Sequence, residues 1–485
     1  MQPRVFYEIF VRSFADSNGD GIGDLKGITS KLDYLAELGI EGLWLTPIFH
    51  SPSYHKYDVK DYYRINGSYG TAEDLVVLLE AAHQRGIKVI LDLVLNHTSS
   101  SHHWFQEAAA NPASKYREYY YWLTPKEIQE KGIEERRATD DSGVKFPWHW
   151  PRKRSKEKYF GMFWKEMPDL NLNSEALKNE LITIAKFWLA KGVDGFRLDA
   201  AKHLFPFWEP QSKTLEFWAT FKNALKADFP EVYLVGEVWD APEVVAPYFE
   251  SLQANFNIDL SYDLKTILKE GKDTIGLISK LKQAHLQYEE VNPNFMDCTL
   301  LSNHDQDRIA SVLKGDENKL KVAANLLFTL PGLPYLYYGE EWGLKGLKPD
   351  EYIREPMPWG DGSQTRWIDR RHNKSFDLKK ATADPDSIFQ QYKRLIALRK
   401  SIPALGRCIG SNLEEVENEN TNLLIFKRIH EAGDVLVVQN LSAKPFKVNK
   451  LQGFDHLIFE TEQASVLANA YHIPAYGLLI VGNQS

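Results

Sequence analysis

The sequence predicts an α/β protein folded as a (β/α)8 barrel, with an insertion after the third strand and a small antiparallel β domain at the carboxyl end. Three observations carry that expectation. Strand-like and helix-like segments alternate roughly eight times, the count that closes such a barrel. The alternation breaks once, between Thr98 and Met167, in a stretch rich in Trp, Tyr, Pro, Lys and Arg without regular periodicity. An irregular segment that long inside a compact domain is normally a functional insertion. From about Ala404 the pattern changes to short alternating runs, the signature of antiparallel strands. The expected division is 1–97 and 167–403 for the barrel, 98–166 for the insertion and 404–485 for the β domain.

Taken in order, Val5 to Val11 reads as a strand, and Leu25 to Leu38 as an amphipathic helix ended by Gly39. Ile40 to Thr46 is a second strand, closed by Pro47. A helix from Thr71 to Arg85, capped by Thr71 and stopped by Gly86, leads to the strand Ile87 to Leu95. After the insertion come a helix from Ser174 to Ala190 and a strand from Val193 to Leu198. A helix from Ser212 to Asp228 precedes the strand Val232 to Gly236, and a further strand is expected near Phe256 to Leu260. A helix near Thr274 to Tyr288, the strand Phe295 to Ser302, a helix from Glu317 to Leu330 and the strand Leu333 to Tyr338 follow. Ser387 to Lys400 is the last helix, and Leu423 to Arg428 and Asp434 to Asn440 are strands of the terminal domain.

Composition bounds the function. A net charge of −8 argues against a nucleic-acid partner, and no apolar run is long enough to span a bilayer. Cys298 and Cys408 cannot form a disulfide framework, and nothing near them resembles a metal-ligand pair. The chain enters its first strand almost at once, leaving no room for a signal peptide, so a cytoplasmic protein is expected; a mature secreted form given a new initiator Met reads identically. The basic run Arg152 to Lys158 reads as a solvated loop face. The sequence leaves the oligomeric state open.

Four strand ends carry clusters of ionisable residues: Asp92-Leu-Val-Leu-Asn-His97, Gly195-Phe-Arg-Leu-Asp199, Gly236-Glu237-Val-Trp239 and Ser302-Asn-His-Asp305. In a parallel barrel all carboxyl ends open on one mouth, so residues far apart in sequence can converge there. Arg197 and Asp199 lie two apart and on a strand point to the same face. A carboxylate beside a guanidinium stays ionised and nucleophilic. Taken alone, this pair reads equally well as a structural ion pair on a buried strand. Three carboxylates (Asp199, Glu237, Asp305) with Arg197, His97 and His304 form a coherent set for hydrolysing a glycosidic bond.

These clusters, together with Met167-Pro-Asp-Leu-Asn171, resemble the motifs of the α-amylase family, glycoside hydrolase family 13, over essentially the whole chain. The resemblance implies a (β/α)8 TIM barrel with a domain inserted after the third strand and a carboxyl-terminal β domain. It implies Asp199 as nucleophile, Glu237 as acid/base and Asp305 as transition-state stabiliser. Arg197, His97 and His304 would bind the sugar being cleaved, Tyr57 would stack under it, and Asp92 would be chiefly structural. The expected substrate is an α-1,4-linked glucan, either starch-like or a maltooligosaccharide.

Within the family, relatives resembling oligo-1,6-glucosidases tend to carry Val after the nucleophile and Gln at the start of the Pro-Asp-Leu-Asn motif. Ala200 and Met167 stand there, which looks more like α-1,4-cleaving members. Lys202 and His203 match a pair that contacts the leaving-group sugar. Tyr54 stands where many exo-acting relatives have an Asp that grips the non-reducing end. For Tyr54, Trp148, Trp150 and Trp164, sugar contact and ordinary packing are both open.

The loop Asp16-Ser-Asn18-Gly-Asp20-Gly-Ile22-Gly-Asp24 alternates oxygen side chains with glycines. That suits a structural Ca2+ held by Asp16, Asn18, Asp20, Asp24 and the Ile22 carbonyl, although Gly27 stands where an EF-hand loop has its bidentate Glu. A metal-free Asx/Gly turn is the other reading. The resemblance also raises a second Ca2+ site at Asn96, a residue that metal-free relatives carry too. Two enzymatic alternatives share the catalytic set, a 4-α-glucanotransferase and an α-glucosidase. A non-catalytic barrel is the distant one, against which stand the three retained carboxylates.

Overall fold

The computed structural model describes residues 3–136, 143–374, 376 and 378–483; residues 137–142 of the expected insertion lie outside the described residues. Eight parallel strands close a barrel: β1 (Phe6–Ile9), β2 (Gly42–Leu45), β3 (Lys88–Leu93), β4 (Gly195–Leu198), β5 (Tyr233–Gly236), β6 (Ala254–Phe256), β7 (Met296–Leu300) and β8 (Leu333–Tyr337). Their order around the barrel is their order in sequence, with β8 beside β1. Apart from Lys88 at the start of β3, every residue of these strands is buried. Parallel strands covered on both faces read as continuous apolar runs, which is how the sequence showed them. Gly195 opens β4 because a Cβ there would meet the Tyr233 carbonyl oxygen at 2.0 Å.

The helices begin where side chains accept the first free N–H groups. Thr71 accepts from Asp74, Ser174 from Leu177 and Ser387 from Gln390. Two expectations are corrected. The helix over Leu25–Leu38 is two helices, Leu25–Ser30 and Leu32–Leu38, broken at Lys31 (φ −105°, ψ 5°) and ended by Gly39 at φ +96°. The strand expected near Phe256–Leu260 stops at Phe256, because Asn257 caps a helix over Ile258–Glu270 by accepting from the Leu260 N–H.

The chain divides into two compact units. One holds Met1–Trp44, Ala82–Lys88 and Trp239–Ser485. Its carboxyl-terminal part carries a five-stranded sheet in the order Leu413–Glu415, Leu423–Arg428, Val435–Asn440, Leu478–Asn483, Phe454–Glu460, with antiparallel pairing throughout. A three-stranded antiparallel sheet, Phe446–Asn449, Ala470–Ile473 and Ser465–Val466, follows. Leu436, Val438, Tyr471, Ile473, Leu479 and Val481 form the core there.

The other unit holds Leu45–Ala81 and Val89–Val238. After β3 it contains a three-stranded antiparallel sheet in the order Trp122–Leu123, Lys158–Phe160, Trp148–His149. Helices over His103–Ala110 and Pro125–Lys131 accompany it, the second opened by a capping box of Thr124 and Glu127. Ile128, Ile133, Trp148, Phe160 and Met162 close a small core of their own. Among the described residues, no helix is long and apolar enough to cross a membrane.

Candidate active site

At the ends of β3, β4 and β5, one buried guanidinium gathers three carboxylates. Arg197 lies on β4, 1% exposed. Its Nη1 contacts Asp92 at 2.8 Å and Asp199 at 2.6 Å, and its Nη2 contacts Glu237 at 2.8 Å. Tyr57 donates its hydroxyl to the other Asp92 oxygen at 2.9 Å and lies 3.4 Å from Arg197 Nη1. Burial opposes the charge of Arg197, but Asp92, Glu237, Tyr57 and Asp199 outweigh it and hold its pKa well above the usual range. A buried cation of this kind is tolerable only with such partners.

The backbone after β4 also serves Glu237. Ala200 takes φ +46°, a left-handed conformation that costs a non-glycine residue roughly 1–2 kcal/mol. In that conformation its N–H donates to Glu237 Oε2 at 3.0 Å, and the Ala201 N–H donates to the Glu237 carbonyl at 3.1 Å. His97 is buried, and burial lowers its pKa to about 4 even though the charge of Asp58 works the other way, so it is neutral near pH 7.

The second cluster belongs to the other unit and follows β7. His304 is buried with both ring nitrogens against carboxylates: Nδ1 lies 2.6 Å from Glu8, and Nε2 lies 3.1 Å from Asp305. Arg354 donates from Nη2 to Asp305 Oδ1 at 2.7 Å and from Nε to the His304 carbonyl at 2.8 Å. Burial lowers the His304 pKa, but Asp305 and Glu8 overcome it and push it up to about 10. Neither Glu8 nor Arg354 stood among the residues expected from sequence. The one available signal for Glu8 was a carboxylate inside the apolar run Val5–Val11; Arg354 sits in the irregular segment after β8.

Other expected residues fall where their surroundings can be described. Lys202 and His203 are half-buried just past Asp199, and the His203 ring stands edge-on to Phe163 at 6.0 Å. Tyr54 is half-buried, edge-on to His55 at 5.3 Å, and His55 lies 6.0 Å from Tyr57. Trp148 is core: it is buried, donates to the Ile133 carbonyl and stacks on Trp208. Trp150 and Trp164 remain exposed. Arg152, Lys153, Arg154 and Lys156 are solvated. Cys298 and Cys408 are both buried, and neither takes part in a disulfide among the described residues.

The expected Ca2+ site is overturned. Among the described residues, no group of three or more His, Cys, Asp or Glu could hold a metal ion. The loop oxygens serve the loop's own backbone instead. Asp16 Oδ1 accepts from Asn18 (3.0 Å) and Gly19 (2.7 Å), and Oδ2 accepts from Gly21 (2.8 Å). Asn18 accepts from Asp20 and Asp20 from Ile22, while Asp24 accepts from Ser17 and Gly27. This is the chain of Asx turns that the same residue pattern equally describes.

The family described as "Alpha amylase, catalytic domain" matches residues 8–407. "Alpha-amylase 3" of Dictyoglomus thermophilum is 43% identical over 445 residues, covering 90% of this chain and 84% of that protein. "4-alpha-glucanotransferase" of Thermotoga neapolitana is 34% identical over 447 residues, covering 90% and 95%. The crystal structure of an alpha-amylase from H. orenii superposes with a TM-score of 0.90 at 41% identity, covering 99% of each chain. By sequence, barrel and strand-end motifs together, the chain belongs to the α-amylase family of glycoside hydrolases.

Proposed function

We propose that this enzyme is a retaining glycoside hydrolase that cuts α-1,4-glucosidic bonds within starch-like glucans and maltooligosaccharides. The observation that carries the reading is the single buried Arg197 touching both Asp199 and Glu237. In the first step an Asp199 oxygen attacks the anomeric carbon while the bond to the leaving oxygen breaks, and Glu237 gives that oxygen its proton. In the second step the Glu237 carboxylate takes a proton from water, whose oxygen displaces Asp199 from the same carbon. Arg197 keeps Asp199 ionised for the attack. Asp305 stabilises positive charge on the ring at the transition state. Tyr57 stacks under the sugar, His97, Arg197 and His304 bind it, and Lys202 and His203 hold the leaving side.

Cleavage within a chain is supported by Tyr54, which supplies no carboxylate to grip a terminal hydroxyl, and by the relatives named as alpha-amylases. Maltoheptaose blocked at the reducing end and maltoheptaose blocked at the non-reducing end should both be cleaved. Release of single glucose units from a free non-reducing end alone would make the enzyme an exo-α-glucosidase. The relative named a 4-alpha-glucanotransferase keeps a second reading in play, in which a sugar replaces water in the second step. Products longer than the substrate, formed from maltotriose alone, would favour it.

A further inference from the structure

We propose that Glu8 is a positioning residue: it turns His304 so that Nε2–H is presented to Asp305, and thereby sets where the Asp305 carboxylate points. The inference rests on the reading of Asp305 as the residue that stabilises the reacting sugar. Glu8 is 1% exposed on β1, flanked by Tyr7 and Ile9. Its Oε1 accepts from the His304 backbone N–H at 3.3 Å and faces Nδ1 at 2.6 Å. A neutral imidazole donates from one nitrogen only, so a ring with carboxylates at both nitrogens is held as the imidazolium. Nε2 then donates to Asp305 Oδ2, while Arg354 holds Oδ1.

The groups facing this ring come from three directions. Glu8 lies on β1, Asp305 follows His304 directly, and Arg354 lies beyond β8, with Tyr337 of β8 in the field of Glu8 and Arg354. Trp44 stands edge-on at 5.5 Å and contributes no charge. The relay has a direction. At its anchor the side chains of Glu8 and His304 are 2% and 0% exposed, but the Asp305 side chain at its far end is 46% exposed. An ion pair that served packing alone would end inside; this one ends on a carboxylate open to a ligand.

Glu8→Gln keeps the volume and removes the charge. Side-chain 15N NMR of the unmodified protein should show His304 protonated through pH 8. In E8Q its midpoint should fall by about 1–3 units, since loss of a nearby opposite charge shifts a pKa by that much. The protonated form is the productive one, so kcat should hold below the new midpoint and fall above it, by about 100-fold for a misplaced group, with KM changing less. Glu8→Asp restores the charge and should keep the midpoint high. An unchanged His304 midpoint in E8Q overturns the proposal. So does a lowered midpoint with an unchanged kcat profile. If E8Q does not fold, the unmodified protein decides: a His304 midpoint below about 7 overturns the role, and one near 10 supports it. Failure of the functional reading shows separately, as no glucan hydrolysis by the unmodified protein, while NMR still reads the Glu8–His304 contact.

Discussion

In the loop Asp16–Asp24 the side-chain oxygens accept from the loop's own N–H groups, and Asn18 and Asp20 lie in solvent. At the ends of β3, β4 and β5 the oxygens of Asp92, Asp199 and Glu237 converge on one buried guanidinium. Both regions are acidic and glycine-flanked in sequence. In the first, each partner lies within a few residues, so the acids shape a turn. In the second, Arg197 and Asp92 are 105 positions apart, and parallel pairing of β3 with β4 sets them side by side. Acid clusters within one segment therefore report local turns, whereas acids at the ends of separate parallel strands report a site.

That contrast can be broken at several strengths. Asp199→Asn should remove turnover by on the order of 10⁴-fold or more while sugar binding survives, since a neutral amide cannot form the ester. Measured kcat and equilibrium binding of a maltooligosaccharide separate the two; substantial activity would mean the wrong nucleophile. Arg197→Met should destabilise by about 3–5 kcal/mol, because it leaves buried carboxylates without their cation. Denaturant unfolding would check it, and a loss below about 1 kcal/mol would reduce the cluster to an ordinary surface ion pair.

The pH dependence comes next. Burial depresses the His97 pKa to about 4, so the stability from keeping it neutral is present above its unfolded value near 6.5 and is lost as pH falls through the folded one. His97→Gln should flatten the acid limb of the stability curve by on the order of 3 kcal/mol between about pH 6.5 and 4. Parallel acid limbs for the two proteins would contradict that. The smallest effect belongs to the loop. Asp24 caps the helix Leu25–Ser30 through the Gly27 N–H, so Asp24→Ala should cost about 1 kcal/mol and leave kcat unchanged. A drop in kcat would give the loop a role the structure does not.

Much of the barrel was legible because its strands are short apolar runs and its helices carry side-chain caps at Thr71, Ser174 and Ser387. Asp199, Glu237 and Arg197 stood out for the same reason, as charges where apolar runs end. What escaped depended on tertiary partners. Lys31 breaks the first long helix where its ammonium meets Asp361 at 2.5 Å and lies 4.4 Å from the Trp359 ring, both far along the chain. Glu8 finds its meaning in His304, 296 residues away. The helix over Ile258–Glu270 was readable from the Asn257 cap but was hidden by the apolar run before it. Alternating oxygens at Asp16–Asp24 fit a cation loop and a series of Asx turns alike, so spacing alone could not choose.

The central claim is that the Arg197-anchored pair, Asp199 and Glu237, works through two displacements at one carbon. The most direct measurement is 1H NMR of the newly formed reducing end during the first moments of hydrolysis, before mutarotation. Two inversions leave the α configuration, so the α-anomer should appear first and relax toward the equilibrium mixture. Initial release of the β-anomer would mean a single displacement by water, and would contradict the assignment of Asp199 as nucleophile.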